Sequence, residues 1–260
     1  MKIVITSGGT TEKIDDVRAI KNSSTGKLGS LIAKAFYELN PNSEIIYICS
    51  QSAIKPDIPC CEIITVSSVN DLQNELESVL SENKPDAVIH AMAVSDYSVQ
   101  GTSTIENIAI RVAETLKKNE IIKSETASLD KIIFDTILEC SKNNQANKIN
   151  SDYENLTLFM HKTPKIISLI KKIHPSTILV GFKLLSNVKQ AQLLDAAYKL
   201  MDKNNCDFVL ANDLCYITES SHTGFLISSD KTYKRLTTKE EIAKAIAVKV
   251  IKKYGKENSI

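Results

Sequence analysis

No apolar run in this chain approaches the roughly 20 residues that a helix needs to cross a bilayer, so we expect no membrane-spanning segment. The chain also has almost no excess of charge of either sign. Its 32 lysines and arginines and its 31 aspartates and glutamates leave a formal net charge of +1. This balance provides no electrostatic basis for binding nucleic acid or an anionic membrane. The chain does not open on a charged and then apolar signal segment, and we expect a cytoplasmic protein.

Patterns for disulfides, metal ligands and nucleophilic triads are absent too. The six cysteines form no C-x-x-C pair, and none is spaced with histidine as in a zinc finger. Cys49 and Cys206 lie in apolar strand-like runs, where a free thiol behaves as a small hydrophobic side chain. The four histidines show no H-E-x-x-H spacing, and the sequence has no G-x-S-x-G elbow. We therefore expect reduced cysteines, no metal ligands among these residues, and a satisfied, buried His90.

The sequence does contain a regular alternation of strand-like and helical patterns. Nearly all-apolar strands joined by amphipathic helices predict a parallel sheet covered on both faces, in a doubly wound, Rossmann-like α/β fold. The pattern places strands at 2–7, 44–49, 61–66, 86–91, 156–161, 177–182 and 206–211, helices at 24–39, after Ser68, after Pro164, at 187–202 and after Thr238, and a C-terminal hairpin at 224–236.

The middle of the chain departs from this alternation. Residues 100–150 are polar, with helical patterns at 105–118 and 129–140 and a soft polar run before Lys148. A segment of this length is better interpreted as a helical insertion and flap than as a loop. With no internal repeat, we expect one nucleotide-binding domain over residues 1–260 that contains this insertion at 100–150.

Two neighbouring segments near the N-terminus are the strongest candidates for a binding site. Gly8 and Gly9 follow the first strand, where glycines let backbone N–H groups approach an anion closely. The donor-rich run 22–27 (Asn-Ser-Ser-Thr-Gly-Lys) opens the next helix, whose N-terminus adds its positive dipole end. A tight turn would explain the glycines alone, and a helix cap needs only one of the hydroxyls. The density of donors favours a site for phosphate oxygens or a developing oxyanion.

The common nucleotide-binding motifs are not completed here. The glycines do not form G-x-G-x-x-G, and the second strand ends at Cys49-Ser-Gln51, without an acid to hold a ribose 2′-hydroxyl. The P-loop pattern also fails, because Gly26-Lys27 is followed by Leu28. These absences argue against an ordinary NAD site and against a P-loop NTPase.

Two further candidates carry a charge. Asp96 follows the fourth strand, at the edge where ligands bind in open α/β sheets, although a turn or cap explains it equally well. Lys148 follows the soft polar run, and a lysine there could clamp a phosphate as a mobile point charge. In isolation, a solvated surface lysine is the commoner case.

The last candidates lie in the C-terminal half. Gly181 and Phe182 leave a strand and could expose backbone groups to a base and stack on it, or Phe182 could belong to the core. Lys199 and Lys203 lie four residues apart on one helical face, which is typical of a solvated surface.

Taken in order, these segments resemble phosphopantothenate–cysteine ligases, and the resemblance runs from Lys2 to the C-terminal helix. Relatives often carry this unit behind a flavin-dependent decarboxylase, whereas this chain resembles the free-standing bacterial form. The motifs that carry the resemblance are Thr6-Ser-Gly-Gly-Thr10, Asp16-Val-Arg-x-Ile-x-Asn-x-Ser-Thr-Gly-Lys27, Ala93-Val-Ser-Asp-Tyr97, Lys148-Ile149, Thr163-Pro-Lys-Ile-Ile167, Gly181-Phe-Lys-Leu184 and Ala211-Asn-Asp213.

The resemblance implies that 4′-phosphopantothenate and L-cysteine are joined through an acyl-nucleotide, with Mg²⁺ and with CTP as co-substrate. Asn22 would bind the acyl-nucleotide, Arg18 would lie nearby, and Lys148 would be the flap lysine of catalysis. The family forms homodimers in which the partner chain helps to complete the site. The residues around the nucleotide and its phosphates would be Gly8, Gly9, Ser24, Thr25, Gly26, Asp96, Gly181, Phe182, Lys199 and Lys203.

Other interpretations stay open at this point. The Gly181-Phe-Lys-Leu184 segment also resembles eukaryotic relatives that use ATP, so ATP remains a possible co-substrate. A nucleotide-dependent oxidoreductase on the same sheet would need a ribose-binding acid, and none is visible. A non-catalytic nucleotide-sensing module would not need Asn22, Arg18 and Lys148 together.

Overall fold

A computed structural model describes residues 1–59, 61–118, 126–142, 149–150, 152–218 and 221–257. The described residues form twelve strands and seven helices. The strands are β1 (Lys2–Ser7), β2 (Thr11–Lys13), β3 (Ala19–Lys21), β4 (Glu44–Ser50), β5 (Cys61–Val66), β6 (Ala87–His90), β7 (Tyr97–Thr104), β8 (Leu156–Lys162), β9 (Ile178–Leu185), β10 (Phe208–Ile217), β11 (His222–Ser228) and β12 (Tyr233–Leu236). The helices are α1 (Lys27–Leu39), α2 (Val69–Asn83), α3 (Ile105–Lys118), α4 (Thr126–Cys140), α5 (Ile167–Ile173), α6 (Gln190–Asn204) and α7 (Lys239–Glu257).

The chain divides into two compact units. Unit 1 comprises Met1–Thr10, Asn22–Val94 and Lys165–Ile260, and unit 2 comprises Thr11–Lys21 and Ser95–Pro164. The sequence pattern marks only 100–150 as an insertion, whereas unit 2 also includes the short strands β2 and β3. The interpretation of 1–260 as one domain stays a prediction.

Unit 1 contains an eight-stranded sheet in the order β12-β11-β10-β9-β6-β1-β4-β5. Neighbouring strands from β10 to β5 run parallel, while β11 pairs antiparallel with both β10 and β12. The predicted Rossmann-like, mostly parallel α/β fold with a C-terminal hairpin is confirmed. The carboxyl ends of β1, β6, β9 and β10 therefore lie along one edge, which we call the carboxyl edge.

Two apolar clusters cover the two faces of this sheet, as period-two alternation in buried strands requires. Ile3 and Ile5 of β1 belong to the cluster that includes Phe36 of α1 and Ile246 of α7. Val4, between them, belongs to the opposite cluster, formed with residues of α2, α5 and α6. We call these the α1/α7 face and the α6 face.

Helix boundaries follow local backbone chemistry. α1 begins at Lys27, and not at Ser24 as the pattern predicts, because Gly26 has a left-handed φ of 72°. α6 begins at Gln190, three residues after the predicted start, because Asn187 also has a positive φ of 56°. The predicted cap of α2 is confirmed, since Ser68 accepts the N–H of Asp71 in a capping box.

Unit 2 is built around an antiparallel ribbon of β7 and β8, with α3 packed against α4. The sequence pattern predicts the helices and β8, but it predicts no strand over 97–104, where most side chains are polar. Within the described ranges, no helix combines the length and apolar character that a membrane span requires.

Candidate functional site

The loop after β1 is held tightly against its neighbours in unit 1. Ala93 donates its N–H to the carbonyl of Gly8 (2.9 Å) and accepts the N–H of Thr10 (3.0 Å). A Cβ on Gly9 would overlap the backbone carbonyl oxygen of Asn22, so this position requires glycine. The loop backbone therefore brings Asn22 to the carboxyl edge.

Asn22 is fixed there by main-chain and side-chain hydrogen bonds. Its backbone N–H donates to Thr10 O at 3.1 Å, and its side-chain Nδ2 donates to Ala93 O, also at 3.1 Å. Its amide oxygen has no hydrogen-bond partner among the residues that the structure describes. A preset amide with a free acceptor can orient a donor on a ligand without reorganisation.

A buried histidine supports the same loop from behind. Thr6 Oγ1 lies 2.9 Å from Nδ1 of His90 and accepts the N–H of Met92 at 3.3 Å. Burial lowers the pKa of His90 to about 4, so the ring is neutral at pH 7. The expected satisfied, buried histidine is confirmed, and its hydrogen bond helps to position the 91–93 backbone.

The N-terminus of α1 is open in the way an anion site requires. The carbonyl of Gly26 accepts Ser7 Oγ–H at 3.1 Å and Tyr47 O–H at 3.4 Å, which fixes the turn before the helix. Thr25 accepts the N–H of Lys27 only at 3.4 Å, and the first turn contains no acidic residue. The half-buried Ser24 and the exposed Thr25 add hydroxyls next to N–H groups at the positive end of the helix dipole.

The C-terminal candidates separate onto the two faces of the sheet. Phe182 is half-buried and packs with the α1/α7 face, the face that carries α1. Gly181 precedes it in β9, where an added Cβ would meet Ile167 and Cys206 at 3.1 and 3.2 Å, so close packing is a structural reason for this glycine. Lys199 and Lys203 belong to α6 on the other face.

The two lysines also lie away from the carboxyl edge. Lys203 is next to last in α6, shortly before β10 starts, and therefore near the amino ends of the strands. Lys199 is 77% exposed and pairs with Asp195 at 2.7 Å. Within unit 1, the structure brings Gly8, Gly9, Asn22 and Ser24–Gly26 together but does not bring Lys199 and Lys203 to them.

Unit 2 contains an ion pair, with a buried carboxylate and a partly exposed guanidinium, that anchors two distant parts of the chain. Arg18 Nη2 donates to Asp15 Oδ2 at 2.7 Å and to the carbonyl of Ile149 at 2.8 Å. Ile149 returns its N–H to Asp15 Oδ2 at 3.1 Å. Arg18, together with backbone N–H donors, holds the pKa of the fully buried Asp15 carboxyl well below its usual range.

This pair fixes the residue directly after Lys148. Lys148 itself lies outside the described residues, so its predicted role stays a prediction. Sequence reasoning missed Asp15, although an aspartate in a polar loop often accepts the N–H groups of the residues that follow it, as Asp15 does from Val17 and Arg18. Arg18 therefore has a structural role, as the partner of Asp15 and Ile149, in addition to its predicted position near the ligand.

Asp96 lies in unit 2 at the start of the β7–β8 ribbon. Its carbonyl accepts the N–H of Thr163 at 3.1 Å, and Thr163 Oγ1 donates to the carbonyl of Ser95 at 2.5 Å. These bonds join two of the sequence motifs and leave the side chain of Asp96 exposed.

The motif Ala211-Asn-Asp213 was singled out in the sequence without a role. In the structure, Asp213 accepts the N–H groups of Asn187, Val188 and Cys215 at 2.9–3.0 Å, which explains the lowered pKa of its carboxyl. Asn212 lies on the other face, in contact with His222. Nothing in the local sequence signals this contact with a histidine ten residues away.

No metal centre is evident in the described part of the chain, which contains no group of three or more histidine, cysteine, aspartate and glutamate side chains that could hold an ion. The five cysteines described by the structure are free thiols, as expected.

Comparison with known proteins gives a consistent result. The family described as the DNA/pantothenate metabolism flavoprotein C-terminal domain matches residues 1–132 and 139–254. The coenzyme A biosynthesis bifunctional protein CoaBC of Thermococcus kodakarensis is 28% identical over 241 residues, which are 92% of this chain and 48% of that protein. CoaBC of Methanocaldococcus jannaschii is 24% identical over 255 residues, or 96% of this chain and 50% of that protein. The chain thus spans about half the length of these curated relatives.

Solved structures agree. The DNA/pantothenate metabolism flavoprotein from Streptococcus pneumoniae is 35% identical, with a TM-score of 0.79 over 97% of this chain and 99% of that chain. A Cab2 mutant in complex with phosphopantothenate-cysteine shares the fold, with a TM-score of 0.66 at 17% identity over 98% of this chain and 86% of that chain.

Proposed function

Because the chain belongs to the family of the DNA/pantothenate metabolism flavoprotein C-terminal domain, we propose that it is a ligase that joins 4′-phosphopantothenate to L-cysteine in coenzyme A biosynthesis. The CoaBC relatives and the fold neighbour that binds phosphopantothenate-cysteine support this substrate class. The observation that carries the proposal is the preset amide of Asn22, held by Ala93 at the carboxyl edge beside the open N-terminus of α1.

The proposed reaction has two steps. A carboxylate oxygen of 4′-phosphopantothenate attacks the α-phosphorus of a nucleoside triphosphate, and the bond to pyrophosphate breaks. The amine nitrogen of cysteine then attacks the acyl carbon, the nucleoside monophosphate leaves, and the amine loses a proton to solvent. Neither step needs a nucleophile from the protein, because positioning and charge stabilisation lower both barriers.

The side chains of the proposed site have the chemistry that these roles need. The amide of Asn22 would orient the acyl-nucleotide, and the N-terminus of α1 would receive phosphate oxygens. Arg18 and Lys148 would supply positive charge, with Arg18 already holding the backbone next to Lys148. The residues proposed around the nucleotide are Gly8, Gly9, Ser24, Thr25, Gly26, Asp96, Gly181 and Phe182. The predicted Lys199 and Lys203 lie away from the carboxyl edge, and their role is tested separately below.

We propose CTP as the co-substrate, with ATP as the competing outcome of the experiment below. Mg²⁺ would enter as the metal complex of the triphosphate, because the described residues offer no cluster of ligands for a resident ion. When bound, it neutralises phosphate charge. We also propose a cytoplasmic homodimer in which the partner chain helps to complete the site.

The decisive experiment measures pyrophosphate release from 4′-phosphopantothenate, cysteine and either CTP or ATP. We expect multiple-turnover release that depends on all three substrates, because without cysteine the reaction stops after one pyrophosphate per site. The preferred nucleotide identifies the co-substrate. No release with either nucleotide would contradict the proposed function.

Two substitutions test the site assignment. Asn22→Asp and Lys148→Gln should lower ligation by at least about 100-fold while nucleotide affinity stays within about threefold, since both act on the reacting groups. Asn74→Asp, at an exposed position of α2, and Lys252→Gln, at an exposed position of α7, are matched controls that should keep wild-type turnover. Wild-type turnover in both site variants would refute the assignment.

Lys199→Ala and Lys203→Ala decide whether the α6 lysines bind the nucleotide. If they do, each variant raises the KM for the nucleotide and leaves the KM for cysteine unchanged. An unchanged nucleotide KM would remove both residues from the site.

A further inference from the structure

The side-chain carboxylate of Asp15, in unit 2, accepts five hydrogen bonds and has no role in the reaction described above. Its Oδ1 accepts the backbone N–H groups of Val17 at 2.9 Å and of Arg18 at 2.6 Å. Its Oδ2 accepts Nε–H of Arg18 at 3.0 Å, Nη2–H of Arg18 at 2.7 Å and the backbone N–H of Ile149 at 3.1 Å. One oxygen therefore shapes the local turn, and the other holds the guanidinium of Arg18.

The bonds to Arg18 leave a defined part of its guanidinium available to a ligand. A guanidinium carries one N–H on Nε and two on each terminal nitrogen. Nε and Nη2 both donate to Asp15, and Nη2 also donates to the carbonyl of Ile149 at 2.8 Å. Among the residues that the structure describes, Nη1 has no hydrogen-bond partner. Because the guanidinium is planar and rigid, the bonds that fix Nε and Nη2 also fix Nη1.

The carboxylate of Asp15 is not itself available to a substrate. Its side chain has no exposed surface, whereas that of Arg18 is 41% exposed. The guanidinium of Arg18 and the backbone N–H groups hold the pKa of the Asp15 carboxyl well below its usual range, so it stays ionised and transfers no proton at neutral pH. Any effect of Asp15 on the reaction must therefore pass through the groups that it holds, of which Arg18 is the charged one.

We propose that Asp15 is a positioning residue of the ligase, which fixes the guanidinium of Arg18 so that its Nη1 donates to an anionic oxygen of a substrate. This inference rests on the proposed function. Both substrates of the first step carry such oxygens, on the phosphates of the nucleotide and on the carboxylate and phosphate of 4′-phosphopantothenate. An arginine that is already held loses less conformational entropy on binding than a free side chain does, so the Asp15 carboxylate strengthens substrate binding without touching the substrate.

Variants of the full chain separate this role from support of the local turn. Asp15→Asn and Asp15→Ser keep an oxygen that can accept the N–H groups of Val17 and Arg18, as asparagine and serine do in such turns, but they remove the charge that holds the guanidinium. Asp16→Asn is the matched control, because Asp16 is the next residue and is exposed. Arg18→Ala removes the guanidinium, and the double variant Asp15→Asn with Arg18→Ala tests whether Asp15 acts through Arg18.

The first readout is calorimetric binding of CTP, ATP and 4′-phosphopantothenate, each measured alone. We expect Asp15→Asn and Asp15→Ser to weaken binding of the substrate that meets Arg18 about tenfold, and Asp16→Asn to leave it unchanged. The substrate that loses affinity identifies whether the oxygen belongs to the nucleotide or to 4′-phosphopantothenate. The double variant should bind no more weakly than Arg18→Ala. Wild-type binding of all three compounds in both Asp15 variants, or an additive loss in the double variant, would overturn the proposal.

Nitrogen NMR of the arginine side chains observes the positioning itself. The chain contains three arginines, Arg18, Arg111 and Arg235, so single substitutions assign each set of guanidinium signals. We expect the wild-type Nε–H of Arg18 to exchange slowly with water and to do so rapidly in the Asp15 variants, with the Arg111 signal unchanged. The wild-type Arg18 signals should also shift on addition of the substrate that they meet. If they respond to none of the three compounds, the proposal fails even where an Asp15 variant does not fold. Absence of wild-type turnover would instead refute the proposed function, while the exchange of Nε–H still tests whether Asp15 fixes Arg18.

Discussion

Gly26 shows how a single residue joins folding to the proposed chemistry. Its left-handed backbone ends the loop, starts α1, and turns its carbonyl toward Ser7 and Tyr47. These bonds hold the Gly26 carbonyl and so fix the turn that precedes the first N–H groups of α1. The residue therefore supports the helix start and, with it, the proposed phosphate site.

We expect Gly26→Ala to lower the free energy of unfolding by about 1–2 kcal/mol, the cost of a left-handed alanine. An added Cβ would also lie 2.9 Å from Ala53 Cβ, so the turn must shift and the KM for the nucleotide should rise. Urea unfolding and steady-state kinetics measure both effects. Gly255→Ala is the control, because no atom lies within 4 Å of its added Cβ, and it should be neutral or slightly stabilising. Equal behaviour of the two variants would contradict this account.

His90 gives a prediction about pH. Its pKa is about 4 when folded, against about 6.5 for a free histidine, so the unfolded chain takes up a proton that the folded chain refuses. The contribution of neutral His90 to the free energy of unfolding is complete above pH 6.5 and is lost as pH falls toward 4. We expect His90→Gln to make the loss of stability between pH 7 and pH 4.5 less steep, measured by urea unfolding. His174→Gln is the comparison variant. If His90→Gln leaves the pH dependence of the free energy of unfolding unchanged, the lowered pKa is wrongly assigned to His90.

Elements with local signals are predicted well from the sequence. α2 has a capping serine and an apolar stripe, and α3 occupies the predicted residues 105–118, because period and caps are properties of neighbouring residues. β7 is missed because its polar sequence becomes a strand only by pairing with β8, more than 50 residues later. The same limit applies to the site. Asn22 and the α1 N-terminus have local motifs, whereas the bonds from Asp15 to Ile149 and from Asn212 to His222 depend on the fold.

The cap of α2 can be tested without touching the site. Ser68→Ala removes the acceptor for Asp71 N–H, and we expect a loss of about 1 kcal/mol in the free energy of unfolding. Ser78→Ala, on the exposed surface of the same helix, should change stability by less than about 0.5 kcal/mol. Turnover should stay at the wild-type level in both variants. Similar losses in the two variants would show that the cap contributes nothing specific.

At the scale of the whole molecule, the proposed residues are divided between two units. Asn22 and the α1 N-terminus belong to unit 1, while Arg18 and Asp96 belong to unit 2. Each unit has its own hydrogen bonds at these residues, from Asn22 to Ala93 in unit 1 and from Arg18 to Asp15 in unit 2. This division makes a test of the proposed homodimer possible.

Mixing two inactive variants tests whether the partner chain completes the site. Asn22→Asp impairs unit 1 and Arg18→Ala impairs unit 2, and each homodimer alone should be inactive. If unit 2 of one chain serves unit 1 of its partner, half of the randomly mixed dimers have one intact site of two. The mixture should then recover about a quarter of the wild-type pyrophosphate release. Sedimentation measures whether the protein is a dimer. A mixture of Asn22→Asp with Lys148→Gln should recover the same pyrophosphate release, because Arg18 and Lys148 both belong to unit 2 and would come from the same chain. Activity no higher than that of the separate variants would mean that each chain builds its site alone.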